Sequence, residues 1–317
     1  MLITRAQTPQ LVILSGKGGT GKTSISAAFI HLSESLNQEK RLTVVDADVD
    51  AANLNLILQT DSLATYEFWG SSTAEISSEK CEGCGDCVRV CRYDAIFRDP
   101  QNNTVYWVDP VACDGCAACV YTCPQNAIAM IQQLEGNWLQ SKGKFGMIFH
   151  AELFPGRENS GKLVSLIKQK AQEWAQHVES PLMIIDGPPG IGCPVIAACV
   201  GADMALIVAE PGMAGLHDLK RIFATLKHFK IPTVLCINKA DLYPQGSLEI
   251  QQFARQENIK LIGEIPFDPH IQSAIRLGTQ VTREFPQAPA SQALCKIWQA
   301  TLDHMLNLGL TGLKING

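Results

Sequence analysis

One stretch of this chain has the residue types and spacing to grip a triphosphate. Gly16-Lys17-Gly18-Gly19-Thr20-Gly21-Lys22-Thr23-Ser24 fits G-x-x-x-x-G-K-[ST], set between an apolar run at Leu11–Leu14 and a helical pattern from Lys22 to Leu36. Glycines let successive backbone N–H groups converge on phosphate oxygens, and the N-terminus of a following helix favours anions. In such a loop Lys22 neutralises the β- and γ-phosphates and the Thr23 hydroxyl ligates Mg²⁺. Two acidic segments follow apolar runs, Val44-Val45-Asp46-Ala47-Asp48 and Ile184-Ile185-Asp186-Gly187-Pro188-Pro189-Gly190. In an open parallel sheet, ligands sit outside the carboxyl ends of strands, where these acids would lie.

The second group is made of thiols. Cys81, Cys84, Cys87 and Cys91 have C-x₂-C-x₂-C-x₃-C spacing, and Cys113, Cys116, Cys119 and Cys123 repeat it, with Pro124 following. In bacterial two-cluster ferredoxins this spacing sends the fourth cysteine of each run to the other cluster. It assigns Cys81, Cys84, Cys87 and Cys123 to one [4Fe–4S] cube, and Cys113, Cys116, Cys119 and Cys91 to a second. Asp94-Ala95-Ile96 and Asn126-Ala127-Ile128 recur three residues after each last ligand, as duplicated halves should. Arg92 stands where the first run would often carry proline, a change to the turn and not to the ligands. Zinc is the competing metal, since paired C-x₂-C units also suit it. Cys193 reads as a small buried thiol beside a loop, and Cys199, Cys236 and Cys295 read as core residues.

Composition supports a metal reading. The 317 residues include 12 cysteines, 46% hydrophobic and 18% charged residues, with a net charge of −5. That is enough apolar material for one large and one small domain. The negative balance disfavours nucleic acid as main partner. No apolar run reaches membrane-span length, and Met1–Gln10 lacks the plan of a signal peptide, so the expected location is the cytoplasm and no membrane is expected. Thiols there stay reduced, and clustered thiols then point to metal.

The elements needed to position these groups alternate along the chain. Buried strands are expected at Leu11–Leu14, Leu42–Val45, Phe145–Phe149, Leu182–Ile185, Ala205–Val208, Thr233–Ile237 and Leu261–Ile265, with helices between them, including Gly215–Phe229 and Leu248–Glu257. Such alternation implies an α/β fold with a mostly parallel sheet flanked by helices. It breaks at the cysteine runs. The expected organisation is a discontinuous nucleotide-binding domain over 1–76 and 133–317, with an inserted α+β ferredoxin domain at 77–132.

With Lys17 added to the phosphate loop, the sequence resembles the deviant Walker A family of P-loop ATPases that includes MinD, ParA, Mrp and the nitrogenase iron protein. The resemblance covers most of residues 10–60 and 140–285. It implies an ATP-dependent homodimer in which Lys17 reaches the partner's phosphates, much as an arginine finger does. It also implies that Asp46 belongs to the Mg²⁺ surroundings, Asp48 positions the attacking water, Asn53 lies at a dimer contact, and Asp186 holds Mg²⁺ through a water. Asn238, in Asn238-Lys239-Ala240-Asp241, would meet adenine, and Pro266-Phe267-Asp268 matches a nucleotide-side loop. Cys193 resembles the place of one cluster-bridging cysteine in the nitrogenase iron protein, but no second cysteine stands near Phe154-Pro155-Gly156-Arg157. The combined expectation is an ATPase controlling electron flow to a protein redox partner or metallocofactor acceptor. Two alternatives stay open: an iron–sulfur assembly ATPase of Mrp type, and a MinD/ParA-like positioning switch. The switch would need either a basic amphipathic tail at Ser291–Leu308, which offers only Lys296 and His304 as cations, or a DNA-binding face made of Lys220, Arg221, Lys227 and Lys230.

Overall fold

All seven apolar runs become strands; six are almost wholly buried, which explains why they lack polar alternation, while the last, at Leu261–Ile265, is largely half-buried. In the computed structural model, which describes residues 8–36, 41–157, 160–212 and 214–310, the strands are β1 (Gln10–Ser15), β2 (Leu42–Asp46), β3 (Asp61–Ile76), β4 (Ile96–Arg98), β5 (Tyr106–Val108), β6 (Ile128–Gly143), β7 (Gly146–Leu153), β8 (Met183–Pro189), β9 (Met204–Ala209), β10 (Thr233–Asn238) and β11 (Lys260–Ile265). Nine form one sheet in the order β11-β10-β9-β1-β8-β2-β7-β6-β3, while β4 and β5 form a separate antiparallel pair. From β11 to β7 every pairing is parallel. Leu11 to Leu14 of β1 are fully buried, as strands covered on both faces must be.

Helices close the sheet. The Lys22–Leu32 helix buries Ile25, Phe29 and Ile30, and a 3₁₀ turn at Ser33–Ser35 ends it before the expected Leu36. The Pro289–Asn307 helix docks through Leu294, Ile297, Trp298, Leu302 and Met305, with the Trp298 ring 4.9 Å from that of Phe29. Cys295, expected in the core, is exposed. It falls one residue off this apolar stripe, where the 3.6-residue period turns it outward.

The chain divides into two compact units, one formed by Met1–Tyr66, Asn137–Leu153 and Ser160–Gly317, the other by Glu67–Gly136 and Phe154–Asn159. The second takes in parts of β3 and β6 besides the cysteine segment, because those strands are 16 residues long. Sequence patterning did not expose them, since β3 buries only scattered positions and carries no apolar run.

The second unit repeats itself in backbone as well as in sequence. Short helices at Asp86–Val90 and Ala118–Thr122 each begin after a left-handed residue, Gly85 (φ 79°) and Ala117 (φ 61°), and each ends at a cysteine with extended backbone, Cys91 or Cys123. Asp94 (φ 49°) and Asn126 (φ 48°) are left-handed at the matching turns, a conformation these residue types tolerate. Its core is small: Ala74, Cys87, Ile96, Cys119 and Ile128.

Candidate functional site

Five adjacent strands, β10-β9-β1-β8-β2, end on one edge and deliver Asn238, Glu210, the phosphate loop, Asp186 and Asp46 to it. Close backbone packing sets the loop. A Cβ on Gly16 would lie 2.6 Å from the Asp218 carbonyl oxygen, and one on Gly21 (φ 89°) would lie 2.3 Å from Asn238 Nδ2. Gly21 leads directly into the Lys22–Leu32 helix, which leaves Thr23 and Ser24 half-buried in its first turn.

Lys22 and Asp186 form a buried ion pair, Nζ to Oδ1 3.1 Å, with 6% and 0% of the two side chains exposed. The Ser26 hydroxyl donates to the same Oδ1 at 2.8 Å. Ser26 was not singled out from sequence, although its place one helical turn after Lys22 aims both at the same spot. Asp186 Oδ2 and Thr20 Oγ1 are buried and have no hydrogen-bond partner among the described residues. A buried carboxylate oxygen left bare is costly, so the position fits a hydrated divalent cation.

Asp46 is used differently. Its Oδ1 accepts from Asp48 N–H at 3.2 Å, and its Oδ2 accepts from Asn53 and Leu54 N–H at 3.1 and 3.0 Å. It therefore anchors the loop that carries Asp48 and Asn53. Burial, and then the facing Asp186, raise its pKa above the usual carboxylate range. Asp48 is half-buried, and burial raises its pKa too, against the pull of Lys22.

Three further expected residues have duties within the fold. Asn238 donates its Nδ2 to the Thr20 carbonyl at 2.7 Å and accepts Lys239 N–H at Oδ1, so its carboxamide braces the phosphate loop. Asp268, expected on the nucleotide side, caps the Pro269–Arg276 helix: Oδ1 accepts from His270 N–H at 3.0 Å and Oδ2 from Ala290 N–H at 3.0 Å. Pro266 is half-buried just before Phe267, whose N–H donates to Asp241 at 2.6 Å. Lys17 is partly exposed and lies beside Glu210, Nζ to Oε2 3.7 Å. Glu210 was missed from sequence, where an acid just past a strand end carried no motif.

In the second unit the eight clustered cysteines line two small recesses. One is bounded by Cys91, Cys113, Cys116 and Cys119, the other by Cys81, Cys84, Cys87 and Cys123. Backbone N–H groups of Ala95 and Ala127 donate to Cys91 and Cys123 Sγ at 3.4 and 3.3 Å. Burial pushes the Cys87 thiol up to about 11 and raises Cys119 as well. Among the described residues no group of three or more His, Cys, Asp or Glu is gathered closely enough to hold a metal ion. Cys193 is exposed at the start of the Cys193–Cys199 helix, not buried as expected, while Cys199 and Cys236 are buried.

Cations of the possible DNA-binding face are engaged locally: Lys227 pairs with Glu257 at 3.0 Å, and Lys220 sits over the Phe253 ring. Among the described residues no helix is long and apolar enough to cross a membrane.

Comparison with known proteins places this geometry. Residues 11–281 match the CobQ/CobB/MinD/ParA nucleotide binding domain. The chain belongs to this family. An uncharacterized protein of Methanocaldococcus jannaschii is 34% identical over 263 residues, covering 82% of this chain and 84% of its own. An iron-sulfur cluster carrier protein of Pyrococcus horikoshii is 22% identical, covering 96% and 89%. The septum site-determining protein MinD of Pyrococcus horikoshii, solved with Mg-ADP, superposes with a TM-score of 0.57 at 17% identity, covering 95% of this chain and 98% of that one. This last likeness shows the α/β P-loop fold alone. As a member of the CobQ/CobB/MinD/ParA family, the chain is a MinD/ParA-like nucleotide-binding ATPase.

Proposed function

We propose that this ATPase hydrolyses ATP with Mg²⁺ as a homodimer and couples the cycle to electron transfer through two [4Fe–4S] clusters, held in an inserted ferredoxin domain at 77–132. One observation carries the reading. The eight cysteines divide between two cavities, each lined by three cysteines of one run and the last cysteine of the other. Four thiols around each space are the number that a [4Fe–4S] group takes from protein. A single zinc ion would draw four thiolates to about 2.3 Å from one point. Bound clusters would supply one-electron carriage to a protein redox partner or metallocofactor acceptor.

The chain's own residues support the nucleotide half of the reading. Phosphate would meet the N–H groups of Gly16–Thr23, and Lys22 would exchange Asp186 for phosphate oxygens. The released Asp186 carboxylate, with Thr23, would then hold Mg²⁺. Asp48, on the loop anchored by Asp46, would orient the attacking water. Lys17 would neutralise charge on the partner's phosphates. Lys17→Ala should abolish hydrolysis while leaving nucleotide binding by the single chain largely intact; unchanged turnover refutes action in trans. The decisive experiment for coupling is anaerobic measurement of both reduction potentials with and without ATP and Mg²⁺. If nucleotide moves neither potential, electron gating fails.

A second reading is supported by the 22% identity to an iron-sulfur cluster carrier protein: assembly and hand-over of clusters. It requires labile clusters, so appreciable transfer to an apo-ferredoxin would favour it over a relay.

A further inference from the structure

Lys17 is not aimed outward in the single chain. Its ammonium lies 3.7 Å from Glu210 Oε2, while Lys239 Nζ lies 3.2 Å from Glu210 Oε1 and donates to the Gly19 carbonyl at 3.1 Å. One carboxylate thus stands between two lysines, one of them tied to the phosphate loop itself. Backbone packing fixes the arrangement: Glu210 directly follows β9, β9 pairs with β1, and β1 runs into the loop that carries Lys17. Gly16, next to Lys17, is pressed against Asp218 in the first turn of the Gly215–His228 helix. Lys17, Glu210, Gly16 and Asp218 share the wall of one shallow recess.

We propose that Glu210 is the positioning residue for Lys17: it holds the lysine within its own chain and gives it up when a second copy brings in its phosphates. The proposal rests on the reading of Lys17 as acting in trans. The two lysines make the exchange inexpensive. When Lys17 leaves, Glu210 keeps Lys239, so no carboxylate is stranded without a counter-charge, the event that makes breaking a close pair costly. The grip on Lys17 is weak by construction. The pair is long and partly exposed, with 38% and 21% of the two side chains accessible, and such pairs shift an equilibrium by roughly 2- to 5-fold and are screened by salt. Pairing of two copies opens two such grips at once, so their effects multiply.

The test is ATP turnover of anaerobically purified holoprotein as a function of its own concentration. For Glu210→Gln the concentration giving half-maximal turnover should fall by about 4- to 25-fold. The shift should shrink as salt is raised toward about 0.5 M. Glu210→Asp, whose carboxylate is drawn back by one methylene, should fall between the two. A midpoint that stays or rises, or a salt-independent shift, overturns the proposal. Should Glu210→Gln fail to fold, as judged by circular dichroism, the Asp variant decides by the same criteria. Lys17→Ala in the same assay keeps the two ideas apart: turnover that survives there removes the action in trans itself, whatever Glu210 does.

Discussion

A single carboxylate shows how much chemistry is concentrated at this site. Asp186 is fully buried, receives Lys22 and Ser26 on one oxygen, and keeps the other without a partner among the described residues. In the proposed cycle Lys22 moves to phosphate and Mg²⁺ takes its place beside Asp186, so phosphate and Mg²⁺ binding should be linked. Asp186→Asn should retain the fold, because an amide oxygen can still accept from Lys22 and Ser26. It should lower Mg²⁺-dependent turnover on the order of 10²-fold, read as phosphate release at saturating ATP. Turnover within a few-fold of wild type would move the metal elsewhere. Asp46 lies beside it in register but has both oxygens occupied by backbone N–H groups, so two similar-looking acids differ: one keeps a bare buried oxygen and the other anchors a loop.

At the scale of elements, capping and the internal repeat give separable tests. Burial opposes the charge on Asp268, but N–H bonds from Ala290 and His270, together with the His270 ring, outweigh it and hold its pKa below the usual value. A carboxylate depressed in the folded state contributes stability above its unfolded value of about 3.9, and that contribution is lost as pH falls through the folded value. Asp268→Asn should cost about 1 kcal/mol at neutral pH, and its difference from wild type should shrink below about pH 4, as read by denaturant unfolding. In the cysteine unit, Ala117 occupies a left-handed position that its repeat partner fills with Gly85. Relief of that strain exceeds the entropy glycine adds to the unfolded chain, so Ala117→Gly should stabilise by roughly 0.5 kcal/mol, seen in the anaerobic thermal midpoint of the holoprotein.

For the whole molecule, the crossing of the cysteine runs is the property to challenge. On the proposed two-cube reading, Cys91→Ala should lower iron from about eight to about four atoms per chain, eliminating the proposed cube at Cys113, Cys116 and Cys119 and sparing the one beside its own sequence neighbours. Electron paramagnetic resonance would identify the survivor, and loss of the Cys81–Cys87 signal instead would reverse the assignment. Motifs confined to a few consecutive residues were legible without a fold: the phosphate loop, the two cysteine runs and the apolar cores of seven strands. They were legible because ligand spacing and burial on both faces are written along the chain itself. Sequence could not show that Ser26 joins Lys22 on Asp186, that Glu210 stands beside Lys17, or that Asn238 and Asp268 are engaged by backbone. These contacts link residues brought together by strand order and by caps at strand and helix ends. Polar residues in such places look alike until the sheet decides which of them meet.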